Sequence, residues 1–274
     1  MASIINIKTP FQNIKIDPSL RCPGEIVLFC DDAWQLDTAV EYKYHESLIT
    51  LPMVCAPAIN KVLICGGGDG MALREVLRFP EVTHVDMVEI DPGMIKLFRD
   101  DEKWAKFNNL SMRNPKATVH VQDALEFAKN SKENYDLIVL DFPSPSGSNR
   151  DKNYPNLYSN NSLQIFTSRL KPQGVLSMQV SMPFLYLAGI TNFLLDKRYF
   201  VWNYDVYYNS RNADSFMTAC QRKLTPCRAI PTAARFANKD RAQALYTDVT
   251  SLGKEHVEHF KLFCHGEDVE YEYA

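Results

Sequence analysis

Four acids occupy positions from which they could do chemistry. Asp69 lies inside a glycine loop, Gly66-Gly67-Gly68-Asp69-Gly70, while Glu89, Asp123 and Asp141 each close an apolar run. The loop follows Val62-Leu63-Ile64-Cys65 and precedes a helical pattern with Leu73, Val76 and Leu77 on one face. Glycine suits a tight turn whose backbone must come close to a ligand. Glu89 falls where a carboxylate can accept both hydroxyls of a bound ribose. Strand and loop alone suit S-adenosylmethionine or NAD, but an acid within the loop would repel a pyrophosphate. Asp69 fits a ligand with positive charge, a sulfonium or an amine. Asp123 is placed to accept a hydrogen bond from an adenine amine, and Asp141 to face the reacting end. Any one of these acids is equally a helix cap or a solvated strand end. Three at consecutive strand ends are a stronger signal.

The elements that must hold them read as a parallel α/β sheet. Val62–Cys65, Val85–Val88, Thr118–Val121, Tyr135–Leu140 and Val175–Val180 are the strand candidates. Helices are expected near Pro92 to Phe98, with Pro92 in a first turn, from Ala124 to Lys129, near Ser162 to Leu170, from Leu185 to Leu195 and at Arg241 to Tyr246. A turn is expected at Lys171-Pro172-Gln173-Gly174, and Phe216 to Ala219 fits a late strand. In such a sheet the ligand lies at the carboxyl ends of the strands, near the topological switch point. The fold expected is α/β: a Rossmann-like, doubly wound sheet of the S-adenosylmethionine-methyltransferase type. Residues 1–52 carry short alternating runs punctuated by Pro10, Pro18 and Pro23-Gly24, a small β-hairpin lobe. Residues 53–274 form the donor-binding and catalytic domain. Glu41 to Pro52 reads as a helix leading into the first strand of the large sheet.

Composition bounds the rest. The chain has 274 residues, 46% hydrophobic and 23% charged, with a formal net charge of -3, which gives no reason to expect a nucleic-acid polymer. No apolar stretch reaches the length of a membrane span and the start lacks a signal segment, so a cytoplasmic protein is expected. The seven cysteines form no C-x-x-C pair and read as reduced thiols. His256 and His259 have the spacing of metal ligands but no partner motif, so no metal is expected.

The run from Gln35 through Asp141 resembles the spermidine synthase (polyamine aminopropyltransferase) family. The matching pieces are Gln35-Leu36, Glu41-Tyr42-Lys43-Tyr44-His45-Glu46, the strand and glycine loop from Val62 to Gly70, Leu73 to Leu77, Val88 to Asp91 and Tyr135 to Asp141. The likeness thins but persists through Gln179, Ser215-Phe216-Met217 and Ala242 to Leu245. It implies transfer of an aminopropyl group from decarboxylated S-adenosylmethionine to an amine by direct displacement, releasing methylthioadenosine, in a homodimer or homotetramer. It implies Asp141 as general base, with Tyr44 and Asp69 in the catalytic set. Gly66, Gly68, Gln35, His45 and Asp69 would hold the donor, Glu89 its ribose, and Asp123 with Ala124 its adenine. Tyr44, His45, Ser144, Gln179 and Tyr208 would surround the acceptor, though Tyr207 and Tyr208 equally suit half-buried strand positions.

The departures fall on the acceptor half. Ser144 stands where the family usually has a second acid, Met71 replaces a glycine, and residues 209–214 replace a Pro-Ser-Gly-type segment. Arg150 and Lys152 could meet a carboxylate or phosphate. Two other reactions therefore remain open on this scaffold: 3-amino-3-carboxypropyl transfer from intact S-adenosylmethionine to a peptide–nucleotide, as in microcin C-like tailoring, and N-methyl transfer. A non-catalytic binding homologue is disfavoured by the presence of both Asp69 and Asp141.

Overall fold

The computed structural model describes residues 4–143, 157–182, 184–207, 213–247 and 259–263. Ser144, Arg150, Lys152, Tyr208 and His256 lie outside the described residues.

The N-terminal runs form one four-stranded antiparallel sheet, β1 (Ile5–Lys8), β2 (Asn13–Pro18), β3 (Ile26–Cys30) and β4 (Ala33–Asp37), in that order. Ile14 and Ile16 are fully buried, with the half-buried Lys15 between them, the alternation of a sheet with one covered face. Between β3 and β4, Asp31 and Asp32 both take positive φ (51° and 62°), as a two-residue hairpin turn requires and as Asp tolerates.

Among the described residues the large sheet has eight strands, in the order β12-β10-β11-β9-β8-β5-β6-β7. Its parallel heart is β5 (Lys61–Gly66), β6 (His84–Glu89), β7 (Ala117–Val121), β8 (Tyr135–Asp141) and β9 (Leu170–Gln179). β11 (Ala213–Cys220) runs antiparallel between β9 and β10 (Phe200–Tyr207), and β12 (His259–Phe263) adds parallel to β10. From β5 the chain builds outward to β6 and β7 on one side and returns to β8 on the other. The gap between β5 and β8 is therefore the switch point.

Strand β5 is buried on both faces, which explains its unbroken apolar run. Val62 and Ile64 join one core cluster with Leu48, Val139 and Phe216, while Leu63 and Cys65 join another with Leu140, Met178 and Phe166. The first face is covered by a helical run of three pieces, α1 (Tyr42–His45), a π-helical turn (Glu46–Thr50) and α2 (Leu51–Cys55). It is pinned to the sheet by bonds from Ser177 Oγ to the Leu48 carbonyl (2.6 Å) and from the Tyr204 hydroxyl to the Ser47 carbonyl (2.8 Å). The expected division after residue 52 thus falls inside a helical run seated on the large sheet. α3 (Met71–Val76) follows the glycine loop, α4 (Pro92–Ile95) follows β6, and α5 (Glu102–Ala105) comes soon after it. α6 (Ala124–Asn130), α7 (Asn160–Ser168), α8 (Phe184–Asp196) and α9 (Lys239–Thr247) follow later in the chain.

One expectation is corrected. Residues 171–174 are not a turn but the start of β9, which already pairs with Tyr135 at Leu170. The register passes from Tyr135 opposite Leu170 to Leu137 opposite Val175, so residues 171–174 loop out unpaired from β8 within the strand, with a positive φ of 64° at Gln173. The six described cysteines are free thiols. Among the described residues no helix is long and apolar enough to cross a membrane, and no group of His, Cys, Asp or Glu is arranged to hold a metal ion.

Candidate functional site

The glycine loop lies across the ends of β6 and β8, and its glycines are required by what they touch. Gly66 has a φ of 87°, and a Cβ there would fall on the Asp141 carbonyl oxygen. A Cβ on Gly67 would stand 3.0 Å from Asp141 Oδ2, and one on Gly68 2.9 Å from Glu89 Oε2. Asp141 and Glu89 therefore flank the same short stretch of backbone. Asp69 turns back on its own loop: its Oδ1 accepts from the Met71 N–H, two residues on, at 2.8 Å. Asn108 donates to the Asp69 carbonyl (2.8 Å) and Ser111 to the Gly70 carbonyl (2.8 Å), fixing the loop from behind.

Tyr44 and His45 enter from α1. The Tyr44 hydroxyl donates to Asp141 Oδ1 at 2.6 Å. Its ring meets Phe216 edge-on at 5.1 Å and His45 at 4.9 Å. His45 Nδ1 lies 2.6 Å from Glu41 Oε2, one helical turn back, and its Nε2 lies 3.9 Å from Asp69 Oδ1. Burial disfavours charge on this imidazole. The Glu41 hydrogen bond and charge, with Asp69 and Asp141 nearby, outweigh it and raise His45 to about 9. His45 is thus a cation at neutral pH, set between the acids. Glu41 is in turn gripped by Arg74 through both carboxylate oxygens at 2.9 Å, and Arg74 also donates to Glu75.

Desolvation is the main force on the two acids beside the loop. It lifts Asp141 to about 6 against the opposing pull of His45, with Asp69 adding to the rise. It lifts Glu89 to about 7 in spite of the Asp91 N–H that Glu89 accepts at 2.8 Å. Tyr44, half-buried against Asp141, is held well above the usual phenol range by desolvation and by the neighbouring carboxylate. The site therefore pairs a carboxylate poised near neutrality with a fixed hydroxyl donor, the condition in which a proton is readily taken up.

The other expected residues are placed less centrally. Asp123 caps α6, accepting from the Glu126 N–H at 2.9 Å, with buried Ala124 beside it. It stays next to Glu89, because Gln122 N–H bonds the Glu89 carbonyl (3.0 Å). Gln35, on β4, donates to the Ala33 carbonyl of its own hairpin (3.3 Å). Gln179 ends β9, with its Oε1 buried and unpartnered. Sequence reasoning passed over Glu41, Asp91 and Tyr158. The spacing of Glu41 and His45, four apart in a helix, could have flagged the first. Asp91 anchors the N-terminal lobe: Thr9 and Gln12 side chains donate to its Oδ2 at 2.9 and 2.8 Å. The Tyr158 hydroxyl bridges the carbonyls of Phe142 and Gln179 (3.2 and 3.3 Å), tying together the ends of β8 and β9.

The sheet order, with the glycine loop at its switch point, defines an α/β protein with a Rossmann-like fold of the methyltransferase type. Residues 41–209 match the family model of the spermine/spermidine synthase domain, and the chain belongs to that family. It is similar to polyamine aminopropyltransferase 1 of Streptomyces coelicolor, with 39% identity over 178 residues, 64% of this chain and 32% of that protein. The polyamine aminopropyltransferase of Leptospira interrogans is 28% identical over 258 residues, 93% of this chain and 50% of the relative. The chain thus spans a third to a half of the length of these curated relatives. Among solved structures, the spermidine synthase of Thermotoga maritima superposes with a TM-score of 0.75 at 22% identity, covering 89% of this chain and 84% of the other. A spermidine synthase in complex with the transition-state analogue AdoDATO gives 0.74 at the same identity and coverage. These two likenesses carry the fold.

Proposed function

We propose that the protein transfers an aminopropyl group from decarboxylated S-adenosylmethionine to an amine. The observation that carries this reading is the Tyr44–Asp141 pair: a carboxyl raised to about 6, fixed by a 2.6 Å bond, beside the glycine loop. An acceptor amine is an ammonium at neutral pH and has no lone pair to donate. Asp141 takes that proton; the freed nitrogen then attacks the methylene beside the sulfonium. The carbon–sulfur bond breaks with its electron pair going to sulfur, leaving neutral methylthioadenosine. General-base assistance of this kind is worth roughly a hundred- to ten-thousand-fold. Glu89 receives the ribose hydroxyls, Asp123 and Ala124 the adenine edge, and Asp69 the donor's own ammonium, with Gln35 closing over its tail.

A seat lined by Asp69, Glu89 and Asp141 favours a donor without a carboxylate of its own over intact S-adenosylmethionine. The test is to incubate the protein separately with each donor and a panel of amines and to follow the nucleoside by mass, with enzyme-free controls. Methylthioadenosine from the decarboxylated donor alone is expected. Methylthioadenosine from the intact donor would replace this reading with carboxypropyl transfer, and S-adenosylhomocysteine would replace it with methyl transfer.

A further inference from the structure

Two cysteines far apart in the sequence meet at the end of α2, a place the proposed transfer does not use. Cys55 is the last residue of α2 and is buried, while Cys227 is exposed, and both are free thiols. The Cys227 N–H donates to the Val54 carbonyl at 2.9 Å. Its thiol donates to the carbonyls of Val54 and Ala56, each at 3.4 Å, the residues on either side of Cys55. Standard backbone lengths then hold the Cα atoms of Cys55 and Cys227 within about 7 Å of each other, against roughly 4.4–6.8 Å in disulfides.

The surroundings give the two sulfurs different parts. Arg228 Nη1 donates to Cys227 Sγ at 3.4 Å, so a cation faces the exposed thiol. An accessible thiol beside a guanidinium is the kind that exchanges with disulfides. Burial pushes the Cys55 thiol well above the ordinary range, with Cys227 adding to the rise and Arg228 opposing it. Cys55 is therefore inert toward reagents in solution and reacts only with a sulfur already brought to it. Arg228 holds the joint together, donating to the carbonyls of Met53 (3.2 Å), Ala56 and Pro57 (3.0 Å) where the helix ends.

We propose that Cys227 is a thiol–disulfide exchange site for low-molecular-weight disulfides of the glutathione type, and that Cys55 resolves the adduct into an internal Cys55–Cys227 bond. The Cys227 thiolate attacks one sulfur of oxidised glutathione; the S–S bond breaks, and its electron pair leaves on the other glutathione sulfur. Cys55 then attacks Cys227 Sγ in the mixed disulfide and expels the second glutathione. The two protein thiols give up two electrons and two protons, which turn one glutathione disulfide into two thiols. The new bond fastens the helical run that carries Tyr44 and His45 to the segment that leads to residues 235–237. A cross-link across so long a stretch of chain takes much entropy from the unfolded state, so the oxidised form is the more stable one. The inference stands apart from the transfer reading.

The experiment incubates the reduced protein with oxidised glutathione, quenches samples over time with N-ethylmaleimide in denaturant, and locates adducts and cross-links by peptide mass spectrometry. A glutathione adduct on Cys227 is expected first, giving way to a Cys55–Cys227 cross-link that dithiothreitol reverses. Cys55→Ala should stop the reaction at the Cys227 adduct, and Cys227→Ser should leave Cys55 unmodified. Oxidised wild type should unfold roughly 5 °C or more above the reduced protein. An unmodified Cys227, an adduct that persists in wild type, a glutathione adduct on Cys55 in Cys227→Ser, a cross-link from Cys227 to another cysteine, or no gain in Tm would overturn the proposal. Should either variant not fold, the time course and the Tm of wild type decide the matter by themselves.

Discussion

At the scale of single residues, the site is governed by the cost of holding a carboxylate out of water. Asp141 is raised to about 6 chiefly by desolvation, so its basic form is lost as the pH falls through 6. The kcat/KM of the proposed transfer should drop about tenfold per pH unit below that point. Tyr44 donates to Asp141 and so helps to keep its pKa from rising further. Tyr44→Phe should move the acidic limb of the profile upward, toward neutrality, and lower the rate. Asp141→Asn should reduce kcat by roughly a hundred- to ten-thousand-fold. The same variant carries a stability signature. A carboxyl whose folded pKa lies above its unfolded value burdens the native state once it ionises, so its contribution is most favourable at low pH and is lost as the pH rises through 6. Thermal unfolding of Asp141→Asn should match wild type near pH 4 and exceed it at pH 8. An equal Tm at pH 8 would show that Asp141 is solvated in the native protein.

At the scale of elements, the loop and the lobe that overlies it act as a unit. Gly68→Ala would drive a methyl into Glu89 Oε2 and the Met94 Cβ, both 2.9 Å away. It should abolish nucleoside binding, read as loss of the thermal shift given by methylthioadenosine, while Gly189→Ala, with open space around it, should be silent. Thr9 and Gln12 reach Asp91 from the N-terminal lobe, so Thr9→Val with Gln12→Leu should loosen the lobe and raise the donor KM with little change in kcat. Much of this level was legible in the sequence, for a physical reason. Doubly buried strands write unbroken apolar runs, and the glycine loop is fixed by local sterics, so β5, β6, β8 and the acids after them stand out. Other features are set by distant partners. The Lys171–Gly174 run carries turn residues, yet it lies within β9, whose pairing with β8 is made on either side of it, at Leu170 and from Val175. Asp91 and Tyr158 draw their places from contacts across tens of residues, which no local pattern records.

At the scale of the whole molecule, α1 and the π-helical turn join the site to the far end of the described chain. Glu46, fully buried one residue after His45, accepts the backbone N–H groups of Arg235, Phe236 and Ala237 at 2.8, 2.7 and 2.7 Å. Arg78 lies 3.5 Å from the same carboxylate. Glu46→Ala would leave the amides of Phe236 and Ala237 buried without an acceptor and free that of the exposed Arg235, a loss on the order of 2 kcal/mol or more. Chemical denaturation should show it as a lower midpoint with an unchanged slope.

That clamp also sets an order of events during synthesis. The three bonds to Glu46 join residues 189 to 191 positions apart, so the carboxylate beside the site waits for its backbone donors until most of the described chain has been made. Pairings of such long range are slow to form, because loop closure precedes any gain from contact. A ribosome-bound chain ending near residue 220 would carry every residue of the proposed donor site, yet it should remain open to protease at the Tyr44 helix. Protection there should appear only once residues 235–237 have emerged, making completion of the fold a late, single step.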